Sequence, residues 1–421
     1  MARTDLDRRG MSVLSGGHTF TDIGQGAIPA MLPFLVAGRG YSYTAAAALV
    51  LAATVSSSIV QPLFGAASDR RSLPWLMPAG LALTGIGLGL SGIAPSYGLT
   101  FAAILVSGLG VAAFHPEASR WANYVSGARR ATGMSLFAVG GNAGFALGPI
   151  VVTPLVLWLG LPGMLLAGLL PVTMAVIVWR ELPRLQGFRP AETATATAAA
   201  RPPVPDQWGP FARLAAAVGV RSVVFFGLSA FVPLYFIDEF GASKADANTA
   251  LTVMLVAGAV GTLIGGRLAD RIGRKPVFAV STLSLTPLIL AFLATPDRTL
   301  AVVLLGVIGA MIIATFSVTV VMGQEYLPNR IGIASGVTLG LAIGVGGLGA
   351  TGLGLIADAA GLDAAMRVIA YTPLLAAVLA LSLPRARAAA PEPEPRRGGV
   401  NPDPSIRPVD TAGRLATDRP H

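Results

Sequence analysis

Twelve apolar runs, each long enough to cross roughly 30 Å of hydrocarbon, limit what this chain can fold into. They lie near residues 12–37, 45–67, 74–94, 97–118, 131–158 and 162–180, and again near 211–237, 246–268, 276–295, 299–323, 331–357 and 364–383. Backbone polar groups find no water inside a bilayer, so such runs must satisfy their hydrogen bonds within helices. Composition agrees: 53 % of the 421 residues are hydrophobic and 12 % charged, with a mean hydropathy of +0.69, more apolar surface than one water-soluble core can hide. The 51 glycines and 31 prolines would break soluble helices, but membrane helices that pack closely or line a cavity tolerate them. The expected fold is an all-α integral membrane protein. The first run follows MARTDLDRRG without a small-residue cleavage site and is expected to remain as the first span.

The net charge of +9 is distributed in a way that excludes a nucleic-acid partner. Thirteen lysines and arginines fall in the short loops on the side of the N-terminus, among them Arg8, Arg71, Arg129, Arg130, Lys275 and Arg330. Arg39, Lys244, Arg298 and Arg367 are the four on the other side. This bias places both termini in the cytoplasm, with the chain in the cell's inner membrane. No cysteine is present, so no disulfide framework forms. The expected organisation is a cytoplasmic segment 1–11, a six-helix bundle 12–180, a linker 181–210, a second bundle 211–384, and a tail 385–421. Linker and tail are rich in Ala, Thr, Pro and Arg and are expected to be disordered.

The two halves repeat at a spacing near 200 residues, as in transporters built from duplicated bundles. Leu32-Pro33 corresponds to Val232-Pro233, and Arg130 to Arg330. Gly65-Ala-Ala-Ser-Asp69-Arg70-Arg71 after span 2 corresponds to Gly266-Arg-Leu-Ala-Asp270-Arg271-Ile-Gly-Arg274-Lys275 after span 8. The second copy, GxxxDRxGRK, resembles the loop signature of the major facilitator superfamily. The resemblance implies twelve helices in two pseudo-symmetric six-helix bundles. It also implies a cytoplasmic gate in which Asp69, Arg70, Asp270, Arg271 and Arg274 lock the halves together, with Glu325 as an arginine's partner. FHPEASR at 114–120, SLFAVGGNAGFALGP at 135–149 and QEYLPNRIGIASG from 324 resemble the fosmidomycin-resistance family of that superfamily. This resemblance implies proton-driven export of small compounds, the best known being a phosphonate antibiotic. Met134 and Ala138 stand where the family pattern leads one to expect glutamines, which makes the cavity face of span 5 less polar.

Charges within lipid are costly, so ionisable residues inside spans are the first functional candidates. His18 and Asp22 lie one turn apart on one face of span 1, with Gln25 nearby. Either they lock span 1 to a neighbour, or Asp22 carries protons. Arg221 lies near the bilayer midplane, about 1.5 Å per residue into span 7, and its guanidinium needs an anion. The pseudo-repeat sets it opposite Asp22. A permanent ion pair between the halves and a binding site for an anionic substrate are both open, as is a mechanism in which substrate at Arg221 frees Asp22 for a proton. His115, Pro116, Glu117 and Arg120 are expected at the cytoplasmic end of span 4, where Pro116 breaks the helix. Glu117 and Arg120 either pair or serve proton entry together with His115. With no cysteine, and only His18 besides His115 in a span, no metal site is expected. Gly144, Gly148 and Pro149 resemble the core of an antiporter motif or serve packing alone. Gln61, Asn142 and Phe226 are expected to line the cavity, with Phe225 and Tyr235 as further aromatic walls.

These features point to a proton-coupled exporter of small, phosphonate-like or other anionic compounds. It is expected to work as a monomer, without a cofactor and driven by the proton gradient. A proton-coupled importer of a small organic anion and a membrane sensor without transport are the alternatives. No nucleotide loop, metal cluster or activated nucleophile suggests an enzyme.

Overall fold

The computed structural model describes residues 5–188 and 205–384, apart from the side chains of residues 69, 70, 131, 331 and 341. The tail and most of the linker lie outside the described residues. Among those described, twelve helical stretches are long and apolar enough to cross a membrane. The first half comprises α1 (Arg8–Arg39), α2 (Tyr43–Ser58), α3 (Gln61–Arg70), α4 (Leu76–Ile93), α5 (Tyr97–Val125), α6 (Arg130–Leu159) and α7 (Met164–Gln186). The second comprises α8 (Trp208–Phe240), α9 (Lys244–Ile272), α10 (Arg274–Ala294), α11 (Arg298–Ala314), α12 (Phe316–Tyr326), α13 (Ile331–Ser335), α14 (Ala342–Ala360) and α15 (Leu362–Leu381).

Three spans are interrupted. Pro62 has no N–H to donate, and span 2 is broken just before it, between α2 and α3. Span 10 divides at Thr315, and in span 11 the stretch Gly336–Leu341 winds as a π-helix between α13 and α14.

Several boundaries differ from the sequence expectation. Helix α1 starts inside the expected N-terminal segment, because the Asp7 carboxylate accepts from Gly10 N at 2.9 Å and caps it. Helix α7 runs six residues into the expected linker, where Arg184 reaches Asp7 at 2.6 Å and Glu181 pairs with Arg9. Pro116 does not end α5, which continues to Val125. A proline costs one ladder bond, which a membrane helix within a bundle tolerates.

The buried apolar side chains form one shared core and two separate ones. The shared core joins Ile28, Leu32 and Leu49 of the first half to Phe231, Phe236 and Ile369 of the second. At the arginine-rich end, each half keeps its own core: Leu14, Phe114 and Trp121 in one, Phe211, Phe278 and Met322 in the other. The halves are thus joined at one end and parted at the other. Polar contacts follow the same division. At the joined end, both oxygens of Asp358 on α14 accept backbone N–H groups at the start of α2, from Tyr43 at 2.8 Å and Thr44 at 2.9 Å. Asn248 of α9 donates to the Ala30 carbonyl and to Thr153 Oγ1, each at 2.9 Å.

Candidate functional site

The tightest helix pair positions the site. Gly140, Gly144 and Gly148 of α6 lie against the backbone of α1, and a Cβ at Gly144 would come within 2.9 Å of Thr19 Cα. This is the packing that the small residues of the GxxxGP stretch allow. Gly141 faces the side chains of α1: a methyl group there would collide with His18 Nε2 and stand 2.8 Å from Asp22 Oδ2.

His18, Asp22 and His115 form one cluster. His18 Nε2 is 3.3 Å from Asp22 Oδ2, and His115 Nε2 is 3.3 Å from Asp22 Oδ1. The opposite ring nitrogens face backbone carbonyls, His18 Nδ1 at 2.8 Å from Phe137 O and His115 Nδ1 at 3.0 Å from Val111 O. A carbonyl only accepts, so each Nδ1 carries the hydrogen and each Nε2 is turned to the carboxylate. The His18 ring also stacks on Phe137, with centroids 4.2 Å apart.

Continuity of α5 through Pro116 is what carries His115 to this place in the wall, rather than to a loop. The sequence ground for expecting no metal, the lack of cysteine and the presence of only two histidines in spans, left Asp22 out of account. One donor atom from each of the three residues lies within 4.8 Å of the others, close enough to share one cation.

Across the cavity, Arg221 of α8 is 3 % exposed. Its Nη1 donates to Thr315 Oγ1 at 3.0 Å, and its guanidinium lies 5.0 Å from the Phe316 ring centroid. Among the described residues it has no carboxylate partner, and Asp22 is engaged by the two histidines. The Arg221–Asp22 pair, one of the alternatives the sequence left open, is absent among these contacts. The mechanism in which substrate releases Asp22 from Arg221 loses its starting state.

One cavity of about 550 Å³ is lined by His18, Asp22, Gln25, Gln61, His115, Asn142, Arg221 and Phe226. It thus brings together the expected polar site residues of both halves. Three features escaped the sequence. Ser57 and Ser58 enter the lining where span 2 breaks, Phe145 meets Phe225 across the halves at 5.8 Å, and Leu339 and Gly340 of the π-helical stretch complete one wall. Only the Pro62 break had a visible signal.

Other candidates lie elsewhere. Glu117 is fully buried and holds the loop after α3: it accepts from Leu73 N at 2.5 Å and from Trp121 Nε1 at 3.0 Å, with Arg120 at 3.7 Å. This arrangement favours pairing over proton entry. Tyr235 packs on Phe292, at 5.6 Å, within the shared core. Of the gate residues, Arg274 pairs with Glu325 inside the second half, and Asp270 and Arg271 are exposed. The side chains of Asp69 and Arg70 lie outside the described residues.

The sequence matches the Major Facilitator Superfamily over residues 14–351 and 214–418. It is 34 % identical to the MFS-type transporter YfnC of Bacillus subtilis over 87 % of this chain and 90 % of that protein. It is 33 % identical to the fosmidomycin resistance protein of Escherichia coli over 92 % of this chain and 95 % of that protein. A bacterial homologue of the human lysosomal transporter Spinster, in an inward-facing and occupied conformation, shares the fold with a TM-score of 0.71. The identity is 14 %, over 88 % of this chain and 95 % of that one. A point mutant of the nucleoside transporter NupG superposes with a TM-score of 0.73 at 14 % identity, over 89 % of this chain and 99 % of that one. Twelve spans in two halves around one polar-lined cavity, together with these matches, establish that the chain belongs to the Major Facilitator Superfamily, as a transporter of the fosmidomycin-resistance type.

Proposed function

We propose that this protein exports a small organic anion from the cytoplasm in exchange for protons. The carrying observation is the Arg221 guanidinium, buried in the cavity wall with no carboxylate partner among the described residues. A charged group so placed in a low-dielectric site attracts an anion. The name of the relative from E. coli supports efflux as the direction.

The His18–Asp22–His115 cluster is the proton-carrying element. With a bare Nε2, each imidazole turns a lone pair toward a carboxylate oxygen; with a proton there, it becomes a donor to that oxygen. The cluster therefore has distinct loaded and empty states without moving a helix. Alternating access follows as rocking of the halves about the midplane site: the parted end, with both termini on its side, faces the cytoplasm, and closes as the joined end opens. In this reading the protein works as a monomer, driven by the proton gradient without a cofactor.

One observation favours co-directional movement as the second reading. The formal charges of Arg221 and Asp22 in the cavity wall cancel, so an incoming monoanion is neutralised by one proton on the cluster. Purified protein in sealed vesicles with an acidic lumen separates the two. Addition of a transported anion should release protons from the lumen as the anion accumulates there. Proton movement together with the anion would establish the importer instead. An anion flux indifferent to the gradient would remove proton coupling.

A further inference from the structure

We infer that the preferred cargo is an amphiphilic monoanion, with a single carboxylate or phosphonate head on an aromatic or aliphatic body. Compact hydrophilic anions should bind less well. This rests on Arg221 being the anion site. The second half's share of the lining beside Arg221 is mainly apolar and aromatic, whereas the other ionisable and amide groups, His18, Asp22, Gln25, Gln61, His115 and Asn142, come from the first half. Phe316 covers one side of the guanidinium, and Thr315 occupies Nη1, leaving the remaining N–H groups for one head group. No second arginine or lysine stands in the described lining, and His18 and His115 both face Asp22, so a second anionic group finds no cation of its own.

Away from the guanidinium, Phe145 and Phe225 meet across the two halves, and Phe226 stands 5.1 Å from Phe225. Leu255, Ile312 and Ile343 extend the apolar wall. A small hydrated anion would leave these surfaces wet. An apolar body displaces that water and contributes about 0.8 kcal/mol per buried methylene, roughly fourfold in affinity. The volume of about 550 Å³ falls within the range of drug-sized ligand sites.

The test is binding to the full chain in lipid nanodiscs, with empty nanodiscs subtracted to remove partitioning into lipid. The probes are the straight-chain carboxylates from butanoate to octanoate, their carboxamides, and methylphosphonate against phenylphosphonate. Affinity should rise about fourfold per methylene, phenylphosphonate should bind at least tenfold tighter than methylphosphonate, and the carboxamides should bind weakly. Arg221→Gln, checked for an unchanged melting profile, should abolish the advantage of carboxylate over carboxamide. Ile343→Gln, which places an amide in the apolar wall, should flatten the chain-length series while leaving butanoate bound. A flat series with equal binding of the two phosphonates would overturn this inference and leave the anion site standing. Anion binding equal in Arg221→Gln and in the unaltered chain would instead remove the anion site itself.

Discussion

At the scale of single residues, two substitutions separate coupling from geometry. Asp22→Asn keeps the side chain's shape but removes the charge that both histidines face, so gradient-driven transport should be lost while the protein still purifies folded. Normal gradient dependence in that variant would show that the coupling lies elsewhere. Gly141→Ala is a sharper probe, because its methyl would invade the space of His18 Nε2 and stand 2.8 Å from Asp22 Oδ2. Transport should fall at least tenfold with little loss of thermal stability, as the displaced atoms are side-chain ends rather than backbone. His18, Asp22 and Arg221 were legible in the sequence, since ionisable side chains in apolar runs are few. His115 was picked out for proton entry as well, but its place beside Asp22 was not legible, because Pro116 next to it suggested a helix end. Continuity through a proline depends on the surrounding bundle, which no local pattern records.

At the scale of elements, the contact of α1 with α6 should be the most sensitive in the first half. A side chain at Gly144 meets the backbone of Thr19, which cannot rotate away. Gly144→Val should therefore cost about 1–3 kcal/mol or more, by analogy with overpacked cores, and lower the melting temperature in detergent. A melting temperature equal to that of the unaltered protein would mean that the pair opens freely. The glycines of GxxxGP announced a close approach, but did not say to which helix. The π-helical turn at Gly336–Leu341 left no comparable trace, since its hydrogen-bond pattern is set by neighbours distant in sequence.

For the whole molecule, the joined end is held by a small number of polar contacts laid over a shared apolar core. Asp358 is the main one, a carboxylate accepting two N–H groups at the start of α2, where the helix dipole favours negative charge. Asp358→Ala should weaken that end by about 1–2 kcal/mol, moving the population roughly tenfold toward opening on that side. Distances between spin labels on α2 and α14 would report the shift, and an unaltered distribution would assign closure to the apolar core alone. The duplicated twelve-span plan was legible from run length and charge bias, whereas the conformation was not, because both conformations satisfy the same pattern of apolar runs. The division of cores also bears on how the chain is made. The first half can complete its arginine-rich end, with Leu14, Phe114 and Trp121 enclosed, before the second half has left the ribosome. Ile28, Leu32 and Leu49 at its other end then face lipid or a chaperone until Phe231, Phe236 and Ile369 arrive. Biogenesis therefore ends on the surface that closes one end of the mature protein, and a chain truncated after the first six spans would be left with that closing face as its point of recognition for quality control.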